Sequence, residues 1–144
     1  MSLLPSLAVT ASGLKAQKMQ MDITSANLAN AQTTRGPDGK PYQRISPVFE
    51  AVPLNFETAL KDQIDVQLSE VKLAEIYKDP TPFQRVYDPG HPDADKKGFV
   101  ELPNVNLVQE MTDMLMASRA YEANVTAFNT TKTMALKILD MAKV

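Results

Sequence analysis

Residues 106–143 read NLVQEMTDMLMASRAYEANVTAFNTTKTMALKILDMAK. The stretch holds neither proline nor glycine, so nothing in it breaks a helix. Leu107, Met114, Tyr121, Phe128, Ala135 and Ala142 recur every seven residues, and Met111, Ser118, Val125, Lys132 and Leu139 form a second line beside them. Seven-residue spacing keeps side chains on one face of an α-helix, so the pattern predicts a helix with an apolar seam. Asn106 stands where an N-cap belongs, and Gln109, three residues on, takes the position of a capping box. From Leu107 to Lys143 such a helix covers about 37 residues, or about 55 Å at 1.5 Å per residue. Helices in globular domains average about 10–14 residues. That length is the first clue to what the chain does.

Proline and glycine divide the rest. Of the 10 prolines nine lie between Pro37 and Pro103, and of the 5 glycines four lie between Gly36 and Gly98. This predicts a mainly α chain with helical arms at both ends, residues 1–34 and 104–144, and a small β-rich insert with loops, residues 35–103. The N-terminal arm reads as a helix from about Leu4 to Asn30, with Leu7, Leu14, Met21 and Leu28 on one seven-residue line. The neighbouring line is Leu4, Ala11, Lys18 and Ser25, apolar only in its first half. Asn27 and Asn30 are read as backbone caps at the end of the arm. In the insert, Gln43–Val52 and Gly98–Leu102 read as strands, the former at a sheet edge because it contains Pro47. Ile64, Val66 and Leu68 alternate, and Val71 and Leu73 change phase. That suits either a hairpin turning near Ser69-Glu70 or a short helix from Phe56 onward.

The two seams are incomplete. Burying the four large side chains of the N-terminal arm is worth about 6–12 kcal/mol gross. Ordering its backbone costs on the order of 1–2 kcal/mol per residue, only partly recovered by helix hydrogen bonds. The arm is therefore marginal as an isolated helix. Either the two arms pair within one chain over a small sheet, or neighbouring chains supply the missing surface. Five of the 8 methionines lie on the C-terminal arm, where their flexibility suits helix contacts.

Composition excludes several functions. Lys+Arg 15 against Asp+Glu 17 gives a net charge of −2, without the positive excess that phosphate backbones require. There is no cysteine, so thiolate chemistry and disulfides are impossible. No stretch approaches the roughly 18 apolar residues of a membrane span. The opening MSLLPSLAVTASG lacks the basic start of a signal peptide, its first basic residue being Lys15, and is expected to remain uncleaved. Asp88-Pro89-Gly90-His91-Pro92-Asp93-Ala94-Asp95 is the densest polar cluster. Its prolines and glycine make a stiff turn in which Asp side chains bond nearby backbone, a better reading than a metal site. A calcium loop starting at Asp93 fails, because Lys97 takes the fifth position and Asn104 the twelfth. No enzyme activity, cofactor or metal is expected.

Several of these stretches resemble the flagellar axial proteins, and among them the basal-body rod proteins of the proximal rod. The first arm ends in Ser25-Ala26-Asn27-Leu28-Ala29-Asn30-Ala31. The insert carries Val86-Tyr87-Asp88-Pro89-Gly90-His91-Pro92-Asp93-Ala94-Asp95, then Gly98-Phe99-Val100 and Pro103-Asn104-Val105-Asn106. The last arm carries Glu110-Met111 and Ala117-Ser118-Arg119-Ala120-Tyr121-Glu122-Ala123-Asn124. The resemblance implies a structural subunit, exported unfolded through the flagellar type III apparatus without signal cleavage. It would assemble in the periplasm with other rod subunits and with copies of itself. The terminal helices would form a coiled-coil-like inner layer that transmits torque, with the insert outside it and neither nucleic acid nor membrane involved. Its interface is then expected at Leu7, Leu14, Met21, Leu28, Leu107, Met111, Met114, Tyr121, Val125, Phe128 and Leu139. Arg119 and Glu122 would pair with neighbours, and the Tyr87–Asp95 turn would fix the insert against the arms. A different class, a self-contained helical adaptor or export chaperone, is the other reading the arms permit.

Overall fold

The computed structural model describes residues 3–53 and 69–141. Two long helices, α1 (Leu3–Ala29) and α2 (Leu107–Met141), enclose an insert of four short strands. At the start of α2, Asn106 Oδ1 accepts from the backbone N–H of Val108 (3.0 Å) and Gln109 (3.2 Å), satisfying two of the donors that a helix N-terminus leaves open. The capping box does not close. The Gln109 amide is engaged one turn along its own helix, where Nε2 donates to Asp113 Oδ1 (3.3 Å). At the end of α1, Asn30 Nδ2 donates to the carbonyl of Ala26 (2.9 Å), capping the last turn.

The helices run antiparallel. Asn27 of α1 stands level with Glu110 of α2, and Gly13 with Asn124. A Cβ on Gly13 would lie 3.2 Å from Asn124 Nδ2, so the bare glycine lets the two backbones approach at that level. The inward stripe of α2 is Glu110, Met114, Ala117, Tyr121, Asn124 and Phe128, in steps of four and three. One expected line, Met114–Tyr121–Phe128, therefore faces inward. Beside it Glu110 and Ala117 are buried and Asn124 half-buried, and of the expected companion line Ser118 and Val125 are half-buried while Met111 is exposed: α1 packs closest where Ala117 permits approach. Ala117 is 4% exposed, whereas Met111 is 61% exposed and Leu139 59%. On α1 the Leu7, Leu14, Met21 and Leu28 line is half-buried, and Ala11, Lys18 and Ser25 face solvent.

In the insert, β1 (Ile45–Pro53) pairs antiparallel with β2 (Ser69–Lys78), from Ile45 opposite Lys78 to Pro53 opposite Ser69. Pro47 stays within the strand, opposite Ile76, as the edge position of a two-stranded sheet allows. Ser69 and Glu70 open β2 opposite Pro53 and Val52, so the expected turn is not there. The register shifts between Val48 and Phe49, which face Glu75 and Leu73 and leave Ala74 as the extra residue of a bulge. The bulge lies beyond Val71 and Leu73, so it shifts the alternation between Leu73 and Ile76 without ending the strand. The Ile64–Leu68 alternation and the alternative helix from Phe56 lie outside the described residues. A second hairpin joins β3 (Gln84–Tyr87) to β4 (Phe99–Leu102), so Tyr87 ends a strand and does not begin a loop.

The apolar interior is thin. Among the described residues Ala16, Ile23, Val100, Val105 and Ala117 are the buried hydrophobic ones, yet the largest fully buried side chains include Glu110, Asn27 and Thr24. Among the described residues no helix is long and apolar enough to cross a membrane.

Candidate assembly interface

The best-ordered polar chemistry lies where the two helices and the insert meet. The side chain of Asn27 makes all four hydrogen bonds open to an amide. Its Oδ1 accepts from Ile45 N–H (3.1 Å) and Tyr42 Oη–H (2.9 Å), and its Nδ2 donates to the Ile45 carbonyl (2.8 Å) and Glu110 Oε2 (3.0 Å). It thus engages both backbone groups of Ile45, as a neighbouring strand would. The other Glu110 oxygen accepts from Arg44 Nε at 2.6 Å. Arg44 Nη1 also donates to Ser46 Oγ (2.7 Å), and the guanidinium lies 3.8 Å from Asp79 and from Asp113. Burial, and then the Glu110 charge, raises the pKa of the Tyr42 hydroxyl. Hydrogen bonds from the side chain and backbone of Thr81 hold the Asp79 carboxyl below its ordinary value.

Asn104 extends the same junction. Its Oδ1 accepts from Arg44 N–H (2.8 Å), and its Nδ2 donates to the carbonyls of Asp79 (3.1 Å) and Thr81 (3.0 Å). Asn27 is therefore no cap of its own helix: with its side chain turned into the interior, it serves β1 and α2, and Asn30 alone of the two caps the arm. Sequence alone points to neither Arg44 nor Tyr42, and to Glu110 only within the Glu110-Met111 pair of the family resemblance. The signal for Glu110 was available, since it stands seven residues before Ala117 on the inward line, where an acid requires a partner.

The Tyr87–Asp95 segment is a turn held by its own side chains. Asp88 Oδ1 accepts from Gly90 N–H (3.1 Å), and His91 Nδ1 accepts from Asp93 N–H (3.1 Å). Asp95 Oδ1 accepts from the backbone of Lys97 (2.7 Å) and Phe99 (3.0 Å), and those two bonds, Phe99's first, lower its pKa. Pro89 and Pro92 flank Gly90 and stiffen the loop. Thr34 Oγ1 donates to Asp93 Oδ2 (2.8 Å), and Arg35 lies 3.7 Å from the same carboxylate, tying the turn to the loop that follows α1. Gly98 has φ +79°, and Tyr87 packs over it, edge-on to Phe99 with ring centroids 5.3 Å apart.

The outer surface of α2 is of another kind. Ten large hydrophobic side chains on this helix are exposed. They gather at its two ends: Leu107, Val108, Met111, Leu115 and Met116, and then Met134, Leu136, Ile138, Leu139 and Met141. Between them the hydroxyls of Thr126, Thr130 and Thr133 donate to carbonyls four residues back. Of the expected interface residues, Leu107, Met111 and Leu139 thus face outward, whereas Met114, Tyr121, Val125 and Phe128 are half-buried. Arg119 and Glu122 are exposed.

Two family models match the chain: one described as flagella basal body rod protein over residues 7–37, the other as flagellar basal body rod FlgEFG protein C-terminal over residues 96–141. The flagellar basal-body rod protein FlgC of Borreliella burgdorferi is 47% identical, the match covering 96% of this chain and 99% of the relative. FlgC of Bacillus subtilis strain 168 is 41% identical, covering 96% and 97%, and FlgC of Yersinia enterocolitica 38%, covering 99% and 100%.

Proposed function

The chain belongs to the FlgC family of flagellar basal-body rod proteins and is a structural subunit of that rod, and on this premise we propose that its terminal helices are the assembling part. Each subunit offers the exposed ends of α2, with the half-buried Leu7–Leu28 line of α1 beside them, to other rod subunits and to copies of itself. The helices interlock in a coiled-coil-like layer, and torque passes through many small packing contacts along stiff helices. Delivery follows the route the resemblance implies, through the flagellar type III export apparatus into the periplasm without signal cleavage. The work is mechanical and not catalytic: in the Asp88–Asp95 turn, Asp88 and Asp95 accept from nearby backbone and Asp93 accepts from Thr34.

One observation carries this reading. Ten large apolar side chains stand exposed on α2, while Glu110 and Ala117 are the residues buried on it. Burial of each exposed side chain at a seam is worth about 1.5–3 kcal/mol, a reserve the lone subunit leaves unused.

Circular dichroism on the purified chain, over a wide concentration range, tests the proposal. Helicity below that of residues 3–29 plus 107–141 in the dilute subunit, rising on assembly, supports it. Full helicity at every concentration, with protease-resistant ends, supports the self-contained adaptor instead.

A further inference from the structure

We propose that Asn27, Arg44 and Glu110 form a positioning joint that fixes a single orientation of the β-rich insert on the helix pair. The three side chains come from three parts of the chain: the last turn of α1, the segment leading into β1, and the first turn of α2. Their bonds are directional. Asn27 holds both the N–H and the carbonyl of Ile45, and only one placement of β1 meets both. Glu110 divides its two oxygens between Asn27 and Arg44, so neither helix can rotate or slide without breaking a buried bond.

The Asn104 bonds to Arg44 N–H and to the carbonyls of Asp79 and Thr81 are directional too, but none of them reaches α1. Apolar contact is non-directional, and here its buried side chains are few and mostly small: Ala16, Ile23, Val100, Val105 and Ala117. Further from the joint, β2 meets α1 through a bond of 3.1 Å from Val71 N–H to Ser12 Oγ, whose hydroxyl donates in turn to the Val9 carbonyl (2.8 Å); it holds one point of β2. A buried ion pair is a poor source of net stability, because desolvating two charges offsets most of their attraction. Its effect is on geometry. In a rod subunit that geometry matters, because an insert that tilts differently in each copy presents a different outer surface in each.

The test uses the full chain, whose lack of cysteine permits direct spin-labelling at two introduced positions. Ser25→Cys on α1 and Lys72→Cys on β2 are both exposed and outside the joint. Pulsed electron resonance on the unassembled subunit reads the distribution of distances between them. The parent chain is expected to give one narrow distribution. Arg44→Met with Glu110→Leu, an apolar replacement that such pairs commonly tolerate, is expected to keep the helicity while broadening the distribution about twofold. Glu110→Gln, which keeps the shape and one acceptor, is expected to broaden it less, and it decides the matter if the double variant does not fold. A folded variant with the parent's width, or a broad distribution in the parent itself, overturns the proposal. Assembly is not part of the readout, so failure of the helix-interlocking reading leaves this result independent.

Discussion

Asn27 Nδ2 and Glu110 Oε2 share a hydrogen bond of 3.0 Å between residues 83 apart in the chain, both with only 1% of their surface exposed. This contact explains why a polar residue ends the first arm and an acid begins the last one. An ionised carboxylate has to be hydrogen-bonded to be tolerated in such a place.

Removing the amide tests the contact. Asn27→Ala leaves Ile45 N–H and carbonyl, Tyr42 Oη and Glu110 Oε2 each short of a partner. Unsatisfied buried groups cost about 1–3 kcal/mol apiece and do not add fully, so a loss of at least about 2 kcal/mol is expected. Asn27→Asp should do no better, because it places a second carboxylate against Glu110. Denaturant midpoints measure both, with exposed Ser25→Ala as a control within about 0.5 kcal/mol. An Asn27→Ala midpoint close to the control's would contradict the assignment.

The arms were legible because their signals are local and periodic: absence of proline, a seven-residue repeat, and an Asn at the start of α2 that caps it. Their pairing face was not fully legible. The lines ending at Met111 and Glu110 differ by one residue, and the apolar one was chosen. The helices pack on the other, where Ala117 lets them approach and Glu110 finds Arg44, a residue 66 positions away that no local pattern announces. Long-range partners also decide Asn27, which reads as a cap by position. In the insert, the bulge at Ala74 shows how a single extra residue resets alternation in a strand that continues.

Two glycines separate backbone strain from crowding. Gly98 and Gly39 both have positive φ, +79° and +71°. An added Cβ at Gly98 would lie 2.8 Å from Tyr87 Cε2 and 3.2 Å from Pro89 Cβ, but at Gly39 it meets nothing within 4 Å. Gly39→Ala is expected to cost about 1–2 kcal/mol, the left-handed penalty alone. Gly98→Ala should cost more, because Tyr87 must leave its place against Phe99. Thermal melts rank the two, and equal losses would show that the Tyr87 ring adjusts freely.

Stability should fall at both extremes of pH. The pKa values of Asp79 and Asp95 are lowered from 3.8 on folding, so their contribution is present above that value and is lost as pH falls through the folded ones. Tyr42 is raised from 10.0, so the neutral hydroxyl is the form that folding favours. Its contribution is full below that value and is lost as pH rises through the higher, folded one. Melting temperature against pH should therefore show a plateau with two falling limbs. Tyr42→Phe is expected to flatten the alkaline limb, and Asp95→Asn to soften the acid one. An alkaline limb unchanged in Tyr42→Phe would place its cause elsewhere.

The apolar ends of α2 separate folding from assembly. Ile138→Glu and Met111→Glu replace side chains that are 48% and 61% exposed and that leave the inward stripe of α2 intact. In the lone subunit each change should therefore stay within about 0.5 kcal/mol of the parent. In an assembled rod each would drive a carboxylate into an apolar seam, where burying an unpaired charge costs far more than the packing it replaces. Motility in cells complemented with the variant should fall sharply, while the melting temperature of the purified protein barely moves. The two ends can be read apart, because Ile138 lies in the last turn of α2 and Met111 lies beside the Asn27–Glu110 joint. Loss confined to Ile138→Glu would assign the seam to the C-terminal end of α2 alone. Wild-type motility in both variants would remove the exposed face of α2 from the interface, and with it the reason for a helix of this length.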